Sequence, residues 1–203
     1  VGRCPNTEGL FGENVQPDME RGRILVNEEF ESSIPGVYAI GDLIFGMQLA
    51  HTASAQGMVV AEKLAGKEPT IDLEVVPGCV YTDPEIASAG LTEEQAKEKG
   101  INVKCGKFIM SANGKSVITQ EERGFIKVVA EESTGKILGA QMMCARATDM
   151  IGEFVTSITN GLTVEQMLRG MRSHPTYNEG IGEALEELGD GAIHVAPKKK
   201  NNR

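Results

Sequence analysis

The chain has no tryptophan, and aromatic residues make up only 4% of its 203 positions. Its core must therefore be built from aliphatic side chains and methionine, of which there are nine. No apolar run approaches the ~18–20 residues needed to span a bilayer, and no signal-peptide pattern opens the chain. Basic residues are in deficit, 20 Lys and Arg against 29 Asp and Glu, for a net charge of -9. That balance argues against a nucleic-acid surface or a polybasic membrane patch. There are three histidines, without metal-ligand spacing, so no metal site is expected. Cys4, Cys79, Cys105 and Cys144 lie far apart, which excludes a C-x-x-C or C-x-x-x-x-C redox pair and a zinc knuckle within this chain. Four reduced thiols in a cytoplasmic protein are expected. What is abundant is glycine, 24 residues, well above the usual ~7%.

The opening Val1-Gly2-Arg3-Cys4-Pro5-Asn6-Thr7 reads as the end of a strand entering a turn, and the start of a parent protein is expected to be missing. Ile24 to Val26 is a short strand candidate. Gly36 to Asp42 is a better one, bounded by Pro35-Gly36 and Gly41-Asp42. A small-residue helix over 50–65 closes at Gly66, and a polar connector over 67–74 suggests a domain boundary. The second half reads as strands followed by helices, an α+β pattern. Strands are expected at 75–81, 101–110, 125–130 and 136–144, with Glu131 to Gly135 as a hairpin connection. Helices are expected after the capping box Thr92 to Gln95, near 147–160, at 163–169 and at 178–188. The basic tail 197–203 is expected to be disordered.

Two constellations could carry chemistry. Asp42 follows a candidate strand, where a carboxylate can accept hydrogen bonds from a sugar or polyol; it can equally just cap a turn. The second is Ser173-His174-Pro175-Thr176-Tyr177-Asn178-Glu179. Proline pushes His174 out of helix. Glu179 can reach back to one imidazole nitrogen and fix the tautomer, freeing the other as a general base. Thr176 and Glu179 also form an S/T-x-x-E capping box, so Glu179 can equally serve only the helix start. His51 and His194 read as structural.

Taken together, these segments resemble the flavin-dependent pyridine nucleotide–disulfide oxidoreductases, and among them the dihydrolipoamide dehydrogenases. Residues 1–7 are similar to the family's V-G-R-x-P-N-T, and Tyr38-Ala39-Ile40-Gly41-Asp42 to its second flavin motif. Gln48-Leu49-Ala50-His51 resembles the M-L-A-H stretch that faces the isoalloxazine ring. Tyr81 to Glu93 resembles the opening of the interface domain, and His174-Pro175-Thr176 with Glu179 the H-P-T-x-x-E acid–base motif. The resemblance covers residues 1–196. It implies the end of a nicotinamide domain and the C-terminal segment of a Rossmann-like FAD domain over 1–72. An α+β interface domain with an antiparallel sheet follows over 73–196.

The implied activity is oxidation of dihydrolipoamide through a disulfide and FAD with reduction of NAD+. Its implied site residues are His174 as base and Glu179 as its orienting partner, with Gly2, Gly41, Asp42, Gln48, Leu49, Ala50 and His51 at the flavin. The implied partners are a second copy in a homodimer and the lipoyl domains of 2-oxoacid dehydrogenase or glycine cleavage complexes, with no nucleic acid and no membrane. A glutathione or mercuric reductase type, or a non-catalytic dimerisation module when isolated, is the alternative. The family's G-x-G-x-x-G, its C-x-x-x-x-C and most of the nicotinamide domain are not in this chain. Arg172 stands where many members have a second His, and Cys4 where a basic residue is usual.

Overall fold

The computed structural model describes residues 2–189 and 191–195; the expected tail 197–203 lies outside them. The chain divides into two compact units, one ending at Glu74 and one starting at Val75. Among the described residues no helix is long and apolar enough to cross a membrane.

The first unit has little regular structure. Strands β1 (Met19–Glu20) and β2 (Arg23–Ile24) pair antiparallel, and one long helix, α1 (Ala50–Leu64), follows. Residues 2–7 form no strand, and the strand expected over 36–42 is reduced to a single bridge from Tyr38 to Glu31. Gly36 and Gly41 have φ of +77° and +65°, which interrupt an extended run, and Gly41–Leu43 closes into a 3-10 turn. The backbone bonds of this segment to residues 30–32 are confined to the Ser32 N–H on the Val37 carbonyl (2.8 Å) and the Ala39 N–H on the Phe30 carbonyl (3.0 Å), too short a pairing for a strand. Ile24, Ala39 and Ile44 make a small buried cluster.

The second unit is a five-stranded antiparallel sheet in the order β3-β4-β7-β6-β5. The strands are β3 (Gly78–Val80), β4 (Ile86–Gly90), β5 (Val103–Ile109), β6 (Phe125–Glu131) and β7 (Ile137–Met143). Alternation puts every second residue on one face. Ala87, Met142, Ile126 and Phe108 stand opposite one another across four strands of that face, and all are at most 1% exposed. Helices α4 (Ala147–Thr159) and α6 (Glu179–Glu186) pack onto the sheet, α4 at β4 and β7, α6 at β5 and β6. Phe154, Ile151, Ile181 and Leu185 complete the core. Each such large side chain adds ~1.5–3 kcal/mol on burial.

Shorter helices α2 (Glu93–Glu98), α3 (Gly114–Thr119) and α5 (Val164–Leu168) complete the unit. Thr92/Gln95 and Thr163/Gln166 form the capping boxes expected for α2 and α5. Strand β4 and helix α3 have no counterpart in the periodicity reading. β4 has one β-branched residue, Ile86, and is otherwise Ala, Ser and Gly, and α3 is short and opens on glycine.

Glycine sets how near α6 comes to the sheet. A Cβ at Gly106 on β5 would lie 1.9 Å from the carbonyl oxygen of Ala184. A Cβ at Gly180 would press on Ile126, Met110 and Phe108 at 3.1–3.2 Å. The start of α6 is thereby seated on the core one residue after Glu179.

Candidate functional site

In the first unit the residues of interest form the turn and helix start around Gly41. The Gly41 N–H donates to the Gln56 side chain at 2.7 Å, and a Cβ at Gly41 would meet Ala53 at 2.8 Å, so the turn lies directly against α1. Arg23 organises the loop that follows. Its guanidinium donates to the carbonyls of Asp42 (3.3 Å) and Ile44 (2.7 Å), and to the Gln48 side-chain oxygen at 2.9 Å. The Asp42 carboxylate is partly exposed, with Arg3 at 3.6 Å. Leu49, which precedes α1, makes no side-chain cap bond to the helix start. The hydroxyl of Thr52, in that same turn, is buried without a hydrogen-bond partner. A carboxylate, the start of a helix, an orphaned hydroxyl and a glycine turn fit a polyol and an electron-rich ring edge. FAD offers both. Gly2 is exposed in an irregular segment, and a Cβ there would meet nothing within 4 Å.

In the second unit the pairing of His174 with Glu179 is direct. Nδ1 of His174 lies 2.9 Å from Oε1 of Glu179, while the other carboxylate oxygen accepts the Thr176 N–H at 2.8 Å. One carboxylate therefore does both things the sequence left open, facing the imidazole and closing the turn. The capping box is only half formed, because the Thr176 hydroxyl donates to the Ser173 carbonyl rather than accepting from the helix. Burial pushes the Glu179 carboxyl up, but the Thr176 N–H, the His174 bond and nearby His charge outweigh it and hold it below its ordinary value. An ionised carboxylate on Nδ1 favours the tautomer with the proton on that nitrogen, leaving the Nε2 lone pair open.

The His174 loop is tied down at several points. Asn113, 3% exposed, donates to the Thr176 carbonyl at 3.0 Å and caps α3 with its side-chain oxygen. Tyr177 bonds Glu121 and Thr119. The His174-Pro175 peptide is cis. Asn113 stands 63 residues from Thr176, a separation no local pattern in the sequence reveals.

The His174 side chain is 76% exposed, so the imidazole sits on an open surface. An open cavity of about 790 Å³ reaches this loop only at Tyr177. Its walls mix Asp83, Glu85 and Glu121 with Lys115, Arg123 and Arg146, which selects no one ligand charge. His51 is also exposed, at the start of α1. His194 pairs with Glu183 at 2.6 Å.

All four cysteines are free thiols. Burial pushes Cys144 up to about 12 and Cys105 to about 11, the latter with help from its bond to Glu93. Burial and Glu85 also raise Cys79. These three are inert at neutral pH, so among the described residues the second unit presents no activated thiol.

Comparison with known proteins agrees with this division. Residues 76–185 match the family described as pyridine nucleotide-disulphide oxidoreductase, dimerisation domain, and residues 1–57 match the pyridine nucleotide-disulphide oxidoreductase family. The chain is 42% identical over 196 residues to dihydrolipoyl dehydrogenase 1, mitochondrial, of Arabidopsis thaliana, covering 96% of this chain and 39% of that protein. It is 40% identical over 196 residues to a dihydrolipoyl dehydrogenase of Bacillus subtilis, covering 96% and 42%. The chain thus spans about two fifths of the length of these relatives. Among solved structures, LpdA from Mycobacterium tuberculosis superposes with a TM-score of 0.85 at 26% identity, covering 93% of this chain and 42% of that one. The flavoprotein disulfide reductase RclA from Escherichia coli gives 0.84 at 26%, covering 91% and 43%. Matched by the dimerisation-domain family over more than half its length, this chain belongs to the pyridine nucleotide-disulphide oxidoreductases.

Proposed function

We propose that this chain is the C-terminal part of a dihydrolipoamide dehydrogenase and supplies its acid–base pair. The observation that carries the reading is the 2.9 Å contact between His174 Nδ1 and Glu179, with the imidazole otherwise open to solvent. The names of the relatives support the substrate. Thiol–disulfide exchange needs a thiolate. His174 Nε2 takes the thiol proton of dihydrolipoamide, and Glu179 stabilises the imidazolium that forms. Such assistance contributes typically 10²–10⁴-fold. Bound FAD would supply the two-electron relay from the dithiol to NAD+. Asp42 would hold its ribityl hydroxyls, and the segment Gln48, Leu49, Ala50 and His51 would face its ring, with Gly2 near the dinucleotide.

A base on an open surface works best when a second surface excludes water from it. The family match of the second unit to a dimerisation domain supports a second copy as that surface. Exposed apolar side chains suit the role: Met171 (99%), Tyr81 (81%), Ile193 (78%) and Ile118 (66%) all belong to this unit. Lipoyl domains of 2-oxoacid dehydrogenase or glycine cleavage complexes would bring the substrate, and the cytoplasm is the expected compartment.

The test is His174→Gln in the complete enzyme. Dihydrolipoamide oxidation should fall by about 10²-fold or more, with flavin content, dimer mass and melting temperature kept. Turnover near that of the unaltered enzyme would refute the assignment.

A further inference from the structure

Glu153 lies on α4, 21 residues before His174 in sequence, and nothing in its local pattern marks it. Its two carboxylate oxygens grip the His174 loop at both ends. Oε1 accepts from Arg172 at 2.5 Å, two residues before His174, and Oε2 accepts from Asn178 at 3.1 Å, one residue before Glu179. The Arg172 side chain is only 11% exposed, and its aliphatic stem lies against Gly182 of α6, where a Cβ would sit 3.7 Å from it. Among the described residues the Arg172 guanidinium has, apart from Glu153, one partner, the Gly170 carbonyl at 3.3 Å, and its Nε is buried without any. A guanidinium so enclosed depends on its carboxylate. α4 itself is anchored by Phe154 and Ile151, both at most 3% exposed, so Glu153 projects from a fixed support.

We propose that Glu153 is a positioning residue for the His174–Glu179 pair, a clamp that fixes the span 172–178 and so the distance between imidazole and carboxylate. This rests on the acid–base reading above. Glu153 touches neither member of the pair, and it acts through Arg172 and Asn178. Arg172 is then a functional part of the loop rather than a neutral departure from the family pattern.

Two measurements test it. In the 203-residue chain, Glu153→Gln keeps the shape and one acceptor but removes the charge. The Thr176 amide, which donates to Glu179, should exchange with solvent about tenfold faster. Ile151→Val, a core change on the same helix, controls for a general loss of stability and should leave Thr176 protected once its own melting shift is allowed for. In the complete enzyme, Glu153→Gln should lower dihydrolipoamide turnover roughly tenfold. Reduction of a dye by NADH through the flavin requires no thiol proton to be removed, and it should be unchanged. Unaltered Thr176 exchange in Glu153→Gln would overturn the clamp. Faster exchange with full dihydrolipoamide turnover would overturn the positioning role. If His174→Gln is itself fully active, the acid–base reading fails instead, and the Thr176 result still decides whether the clamp exists.

Discussion

The two units solve the same problem, holding a loop in place, by different means. Among the described residues the second unit buries a cluster of nineteen apolar side chains beneath its sheet, and the first unit one of three. The His174 loop stands on that large core through α6, Asn113 and Glu153. The turn at Gly41 is instead held by polar bonds from Arg23 and Gln56 to its backbone. A site built on packing is specified by its own unit. A turn held by a few hydrogen bonds leaves polar groups open, as the partly exposed Asp42 carboxylate and the orphaned Thr52 hydroxyl show.

The largest effect should come from the shared core. Phe154→Ala should cost the second unit about 3–5 kcal/mol. Urea unfolding followed residue by residue through amide signals should show it, with the first unit's amides unmoved. A common shift in both units would break the contrast. Gly106→Ala should follow, at about 3 kcal/mol, because its methyl would overlap the Ala184 carbonyl and push α6, with Glu179, off the sheet. In the first unit Gln56→Leu should cost about 1–3 kcal/mol by leaving the buried Gly41 N–H unpaired. Its effect should stay within residues up to Glu74.

The smallest effect concerns pH. The bond to Glu183 and its charge raise the His194 imidazole above its ordinary value of about 6.5. The contribution is therefore complete below about 6.5 and is lost as pH rises through the higher folded value. The stability difference between the unaltered chain and Glu183→Gln should shrink across that window; a difference that grows with pH would contradict it. His194 is well exposed, so the effect should be slight and weaker still in high salt.

The second unit was more legible in the sequence than the first. Its strands alternate, and its capping boxes at Thr92 and Thr163 are written in consecutive residues, because each is decided locally. The strand over 36–42 failed because β-branched residues state only a preference, while Gly36 and Gly41 at positive φ cut the segment to a brief pairing with residues 30–32. At the site, His174 and Glu179 were legible from a spacing of five residues. Asn113 and Glu153 were not, since they reach the loop across 63 and 19–25 residues by the folding of the sheet and α4.

The direct test is the tautomer of His174, read from its ring nitrogens by nitrogen-15 NMR in the neutral state of the 203-residue chain. The Glu179 carboxylate on Nδ1 predicts a proton on Nδ1 and a bare Nε2, and Glu179→Gln should weaken that preference. A proton found mainly on Nε2, unchanged by Glu179→Gln, would contradict the dyad.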